Sequence, residues 1–389
     1  MGRRPGGAPR TVLYVHSSSG RYGADRQLEM LVTGLDPSRY RALVVLPDHG
    51  PLAAALRAAG VEVRVRPLSV LRRALFSARG LSGVAARAVG DSVALGGLAR
   101  RRGVALVHTN TSVTLGGAGA ARLAGVPHVW HVREIYADFA RWWPLLRRLL
   151  LTADAVPCLS QATRAQFAGA ARARLVPEGL PESALTRRPV DRAVARDALG
   201  LPQDRFTCLV VGRINGWKGQ DVLARTLAEP ALRKHEAVGL VAGDAWAGEE
   251  RHEQALRELA RSLELGDRLR LLGFREDLDV LYGAADAVVV PSTRPEPLGL
   301  VALEAAAAGL CVVASRTGGL PEILRDGETG RLVAPRDPPA LAGALAQLAD
   351  DPEQGRRLGA AAAADVRERF SRERLLEHTQ GLYDELLEP

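Results

Sequence analysis

The sequence predicts an α/β protein built of two doubly wound parallel sheets, and three observations predict it. Short runs rich in Val, Leu and Ala alternate with long Ala-, Leu- and Arg-rich stretches. Several of the short runs are apolar throughout rather than alternating, as parallel strands covered on both faces are. The pattern runs twice, with a proline-rich break between the runs. Alternating β and α elements of this kind wind into parallel sheets, and 389 residues are too many for one compact core.

The elements follow in order. "MGRRPGGAPR" is basic, but the apolar run after it is too short for a signal peptide, so "TVLYVHSS" reads as the first strand. "RALVVLP", "VEVRVRPL", "VALVHTN", "PHVWHV" and "DAVPCLS" follow, separated by helical stretches. Residues 177–205 hold four prolines and no strand pattern, which marks a linker. The expected domains are therefore residues 1–190 and 191–369. The second set of strands is "FTCLVVGRI", "AVGLVAGD", "LRLLGF", "DAVVVPS", "CVVAS" and "GRLVAP". Two such lobes leave a cleft, and in each the ligands belong beyond the carboxyl ends of the strands. No internal repeat is visible, and Ala-rich helix is the only biased composition.

Hydrophobic residues at 47% and charged residues at 25% are ordinary for a soluble globular protein. No apolar run has the length of a membrane-spanning helix. Cys158, Cys208 and Cys311 lie far apart in apolar runs, so they read as reduced core residues in the cytosol. The net charge of +8 is unevenly spread. Residues 1–190 hold 27 arginines against 11 acidic residues, a net of +16, and the remainder nets −8. Base composition acts on both halves alike, so the asymmetry points to an anionic partner for the first half.

The chemistry concentrates in "VVVPSTRPEPLGLVALEAAAAG", where seven residues separate Glu296 from Glu304. A strand leads through a loop bearing Glu296 into a helix bearing Glu304. The first free N–H groups of that helix, expected at Leu298, Gly299 and Leu300, form an anion site with the helix dipole. Glu304, about one turn in, suits a ribose beside a bound phosphate; Glu296 suits the hydroxyls of a second sugar. Taken alone, the spacing also fits an ordinary strand–loop–helix with a solvated Glu304. It does not stand alone. "LVVGRINGWKGQDVL" puts Gly212 and Arg213 at a strand end and Lys218 in the loop beyond, beside Gly216 and Gly219. Two cations there can neutralise a diphosphate. Only two lysines occur against 50 arginines, so Lys218 stands out from the bias. "SRTGGLPEIL" adds a strand-end pair, Gly318 and Gly319, followed by Glu322.

Along nearly its whole length the sequence resembles the retaining glycosyltransferases of family 4. The pattern "GRINGWKG", "EPLGLVALE", "AAAAGLCVVASRTGGLPEILRDGETGRLV" and "RFSRERLLEHTQGLYDELL" matches that family in order. The resemblance implies the GT-B fold: two Rossmann-like lobes facing across a cleft, with a C-terminal helix of about residues 370–389 crossing back to the first. It implies that Arg213 and Lys218 bind the donor's diphosphate. Glu296 then contacts the donor sugar, with Pro297, Leu298, Gly299 and Leu300 around it, and Glu304 the ribose. Phe274 and Arg275 lie in the "LGFRED" loop, where the family holds the base mostly by backbone groups.

The first lobe resembles the family less tightly. "HSSSGRYGADRQLEML" looks like its glycine-rich loop, with Tyr22, Gly23, Ala24 and Asp25 where Gly-Gly-Ala-Glu is common, and with Gly20 and Gly23 letting the backbone approach the donor phosphate and the acceptor. His131 in "VWHVREIY" matches the family's strand-end histidine, with His128 as a competing candidate and a core histidine as the plain alternative. Glu178 stands where the family commonly has Asn.

The implied reaction moves a sugar from a nucleoside-diphosphate donor to an acceptor hydroxyl with retained configuration. The implied mechanism is front-face attack, in which the leaving phosphate helps accept the proton and His131 positions the sugar or steadies developing charge. The acceptor is a saccharide, a lipid-linked saccharide or a natural product. Asp277 and Asp279 have a D-x-D spacing, but they begin a helix, where acids are favoured anyway. Fixed cations already serve the leaving group, so neither metal nor other cofactor is expected. An inverting transferase or a nucleotide-sugar epimerase would need an activating base in the first lobe. A non-catalytic two-lobed binding protein would need export. Residues 70–102 hold seven arginines and one acid, and "RWWPLLRRLL" adds Trp142 and Trp143 beside Arg147 and Arg148. Arginines flanking apolar groups suit an anionic membrane surface, although both tryptophans also fit a core and the arginines a solvated face. No nucleic-acid motif accompanies the charge. The expected location is the cytoplasm, with peripheral contact to the inner face of the membrane.

Overall fold

The computed structural model describes residues 8–71, 78–136, 141–246 and 248–388. The chain divides into two compact units, Met1–Gly179 with Arg372–Pro389, and Leu180–Ser371.

Unit 1 is built on β1 (Arg10–Val15), β2 (Tyr40–Leu46), β3 (Glu62–Val65), β4 (Val104–Thr109) and β5 (His128–Trp130). All pair in parallel, in the order β3-β2-β1-β4-β5. Both faces are covered, which is why β1, β2 and β4 are mostly apolar, whereas the edge strand β3 alternates. Val12, Tyr14, Val44 and Leu46 pack into one core, and Leu13, Val15, Leu43 and Val45 into another. β6 (Val156–Cys158) and β7 (Ala173–Leu175) form a parallel pair, joined to the end of β5 by bridges at Val129–Ala155 and Val132–Cys158. β7 escaped the sequence reading because "ARL" is short and half polar. The C-terminal helix Arg372–Leu387 belongs to this unit. Leu375, Leu382 and Tyr383 enter its core, and the Tyr383 hydroxyl lies 2.9 Å from that of Tyr14.

Unit 2 carries β8 (Thr207–Val211), β9 (Val238–Ala242), β10 (Leu269–Gly273), β11 (Ala287–Val290), β12 (Val312–Ser315) and β13 (Arg331–Val333). They pair in parallel in the order β10-β9-β8-β11-β12-β13. The domain boundary expected at residue 190 is corrected: residues 180–190 belong here. The Val190 N–H donates to Asp279 O at 3.0 Å, and the Leu180 N–H to Phe370 O at 2.7 Å. The strandless segment is structured by helix Arg192–Ala198, whose fully buried Arg196 donates to four backbone carbonyls and to Asp286.

The three cysteines are free and buried, and burial pushes each thiol up to about 12. Among the described residues no helix is long and apolar enough to cross a membrane.

Candidate active site

In unit 2 the strand order reverses between β8 and β11, and ligands of such sheets bind at that crevice. The predicted cations and carboxylate converge there. Arg213 and Lys218 follow β8; Glu296 follows β11. Lys218 Nζ lies 2.6 Å from Glu296 Oε1, and the buried Ser292 hydroxyl donates to the same oxygen at 2.6 Å. Lys218 Nζ also sits 4.5 Å from the centre of the Trp217 ring. The Arg213 guanidinium sits 4.4 Å from the centre of the Trp246 ring.

The loops holding these groups are fixed by backbone contacts. Asn215 Oδ1 accepts the N–H groups of Trp217 and Lys218 at 3.0 and 2.9 Å. Gly219, at φ +79°, lies so close to β11 that a Cβ would come within 1.9 Å of Pro291 O. On the other side, Gly319 N–H donates to Glu296 O at 2.8 Å, and a Cβ on Gly318, at φ +59°, would lie 2.0 Å from that same oxygen. Only glycine fits either position. The strand-end pair Gly318–Gly319 therefore holds the Glu296 loop.

The helix after this loop is Leu300–Ala307, capped at Gly299. It starts later than expected, so its leading N–H groups are those of Leu300 and Val301, and Leu298 is a buried residue ahead of it. Glu304 lies inside the helix and is buried, not solvated. Phe274 is 65% exposed. Arg275 pairs with Asp277, whose carboxyl is held below its ordinary range by that bond. Asp277 is the residue before helix Leu278–Ala284, but its side chain turns to Arg275 and makes no cap bond. Asp279 pairs with Arg187. The D-x-D carboxylates are thus each bound to an arginine.

In unit 1 the strand order reverses between β1 and β4. His16, Asn110 and His131 follow β1, β4 and β5. Asp25 accepts from Ser18 Oγ at 2.5 Å and from the Tyr22 N–H at 2.9 Å, and lies 3.0 Å from His16 Nε2. Asn110 Nδ2 lies 3.1 Å from His16 Nδ1. If that amide donates, Nε2 carries the proton toward Asp25. Arg133 donates to Asn110 O and Oδ1 at 3.0 and 3.1 Å and pairs with Glu178. All five residues are buried. Gly23 begins the helix Gly23–Gly34 directly after the loop that Asp25 holds.

His131 is 1% exposed, and neither ring nitrogen has a hydrogen-bond partner among the described residues. Burial, with the charge of Arg133, drives its pKa well below the ordinary value, so it is neutral. His128 is different: its Nε2 lies 2.8 Å from Thr109 Oγ1, and burial lowers its pKa to about 3.

Of the Arg-rich stretch 70–102, residues 72–77 lie outside the described residues. Trp143 is partly buried against the core, stacked on Tyr136 at 5.2 Å and edge-on to Phe167 at 5.3 Å. Its helix, Trp143–Leu150, exposes Leu145 and Leu149 at 66% and 37%.

Residues 191–365 match the family model described as glycosyl transferases group 1, and residues 21–183 match glycosyltransferase family 4. The two halves of the chain thus each resemble a glycosyltransferase family model. D-inositol 3-phosphate glycosyltransferases of Streptomyces griseus and Streptomyces scabiei are 43% and 45% identical to the chain. Those matches cover 50% and 46% of this chain but 42% and 41% of the relatives, less than half their length. HepE of Anabaena, solved in complex with UDP and glucose, is similar with a TM-score of 0.81 at 25% identity, over 96% of this chain and 99% of that one. Sucrose-phosphate synthase from Thermosynechococcus elongatus has a TM-score of 0.77 at 24% identity, over 97% and 99% of the two chains, a likeness of fold. The chain thus has the two-sheet α/β architecture of the GT-B fold. Of the residues the sequence singles out, the structure pairs Lys218 with Glu296. The sequence reading did not name Ser292, Asn110 or His16, although each follows an apolar strand, the signal that would have found them.

Proposed function

We propose that this chain moves a sugar from a nucleoside-diphosphate donor to an acceptor hydroxyl, with retention and without a metal. The observation that carries this reading is the Lys218–Glu296 pair where the strand order of the unit 2 sheet reverses, with Arg213 following the same strand as Lys218. When the glycosyl–phosphate bond breaks, negative charge collects on the leaving diphosphate. The two fixed cations and the N-terminus of Leu300–Ala307 stabilise it. Glu296 takes the donor sugar's hydroxyls and Glu304 the ribose. His131, neutral, is assigned to positioning the sugar. The acceptor oxygen attacks on the face the diphosphate leaves, and its proton passes to the leaving phosphate oxygen.

HepE binds UDP and UDP-glucose, so uridine donors are the first to test; the acceptor remains a saccharide, a lipid-linked saccharide or a natural product. The purified chain is incubated with UDP-, ADP- and GDP-sugars, with and without acceptors including D-inositol 3-phosphate, and scored by mass spectrometry. Hydrolysis or transfer that persists in EDTA, with the anomeric configuration kept by NMR, is expected. Activity lost in EDTA and restored by Mn²⁺ would return Asp277 and Asp279 to the site. No turnover or binding of any nucleotide sugar would refute the reading.

The location proposed is the cytoplasm, with unit 1 touching the anionic inner membrane face. Leu145 and Leu149 are exposed on a helix that also carries the exposed Arg148. Sedimentation with anionic and with neutral vesicles tests this. A protein left in the supernatant by both at low salt has a merely solvated surface and a soluble acceptor.

A further inference from the structure

Both cations assigned to the diphosphate rest on indole rings. Arg213 lies over Trp246, and Lys218 over Trp217. The chain has five tryptophans, so two of them are placed on these two side chains. They come from different segments. Trp217 adjoins Lys218, while Trp246 follows β9. The Trp217 backbone is pinned: its N–H donates to Asn215 Oδ1 at 3.0 Å, and its carbonyl accepts the Thr293 N–H at 2.8 Å. Trp246 is half exposed, an apolar surface that core packing does not require.

A ring face attracts a cation but is a poor competitor for its N–H groups beside a phosphate oxygen. It therefore fixes the charge while leaving it to a stronger acceptor. Arg and Lys side chains have many rotamers, and ordering them beforehand removes that loss from binding. Lys218 is also held by Glu296.

We propose that Trp246 and Trp217 are positioning residues for the donor diphosphate, Trp246 for Arg213 and Trp217 for Lys218. The proposal rests on the donor reading above, and its test separates the two. The full chain is titrated calorimetrically with whichever of UDP, ADP, GDP and dTDP it binds, and with the matching monophosphate. Trp246→Leu keeps apolar bulk without a π face; Trp246→Phe keeps a face. Trp246→Leu should weaken diphosphate binding by about three- to thirty-fold. The monophosphate should lose less, Trp246→Phe should recover most of the binding, and the melting temperature should hold. Trp217→Leu should also weaken diphosphate binding more than monophosphate binding. Unchanged diphosphate binding in Trp246→Leu overturns the proposal, as does equal loss for both nucleotides, which would make Trp246 a base-stacking residue. A wild-type chain that binds none of the four diphosphates refutes the donor reading itself.

Discussion

The strand order of the two sheets reverses at comparable points, and the residues there are organised in opposite ways. At the end of β1 and β4, Asp25, His16, Asn110, Arg133 and Glu178 are bonded to one another in a buried chain. Its charges face its own members, so it fixes the shape of the loops around it. At the end of β8 and β11, the cations lean on indoles and on one carboxylate, at a partly exposed place. Charge there is arranged for something that arrives. The difference teaches that the same crevice can be a frame in one unit and a binding field in the other, and that the two must fail differently.

Acid should break the frame first. Burial lowers the pKa of His16, His108, His128 and His131, all in unit 1. A folded pKa below the unfolded value means that stability is complete above about pH 6.5 and falls as the pH drops. For His128 the loss continues to about pH 3. Each such histidine removes up to about 1.4 kcal/mol per pH unit in its window. Glu134 and Glu178 are pushed up by burial and act the other way, but only near the carboxylate range. Hydrogen exchange between pH 7 and 5 should show unit 1 peptides losing protection faster than unit 2 peptides. Parallel loss in both units, or none, contradicts the comparison.

Arg133→Met breaks the frame at one point. It leaves a buried Glu178 without its partner and Asn110 without its donors, at about 3–5 kcal/mol. Arg133→Met with Glu178→Met should recover much of this in urea unfolding. If the single variant unfolds like the wild type, the network carries no stability.

The binding field should instead lose turnover. Lys218→Ala should cost about 2–4 kcal/mol of transition-state stabilisation, read as kcat/KM for the donor. Glu296→Ala should abolish transfer while nucleoside diphosphate still binds, and Glu304→Ala should weaken nucleotide binding as well. Equal loss of nucleotide affinity in both glutamate variants defeats that division.

The same contrast explains what the sequence made legible. The residues of the field lie in two contiguous stretches around Lys218 and Glu296, where a strand, a loop and a helix start can be read in a line. The frame joins residues from 16 to 178, and no local pattern shows that Asp25 meets His16 or that Arg133 meets Glu178. Strands buried on both faces announced themselves; β7, of three residues, did not. Asp277 was read as a helix-start acid, and local propensity placed it correctly. The competing partner two residues earlier, Arg275, took its side chain.

The finest test separates two histidines three residues apart. His128 is joined to Thr109, whereas His131 is as deeply buried with both ring nitrogens unpartnered among the described residues. Thr109→Val should leave His128 Nε2 unpaired and cost about 1–3 kcal/mol of stability, with transfer unchanged. His131→Phe replaces an unpaired polar ring by an apolar one of related shape, a change that is nearly neutral or stabilising in a core. Its melting temperature should therefore hold while kcat falls. A fold can keep a buried ring without partners only if the loss is offset elsewhere, and a substrate hydroxyl is the partner this reading supplies. If His131→Phe melts earlier and turns over normally, His131 is a core residue after all, and unit 1 contributes shape alone.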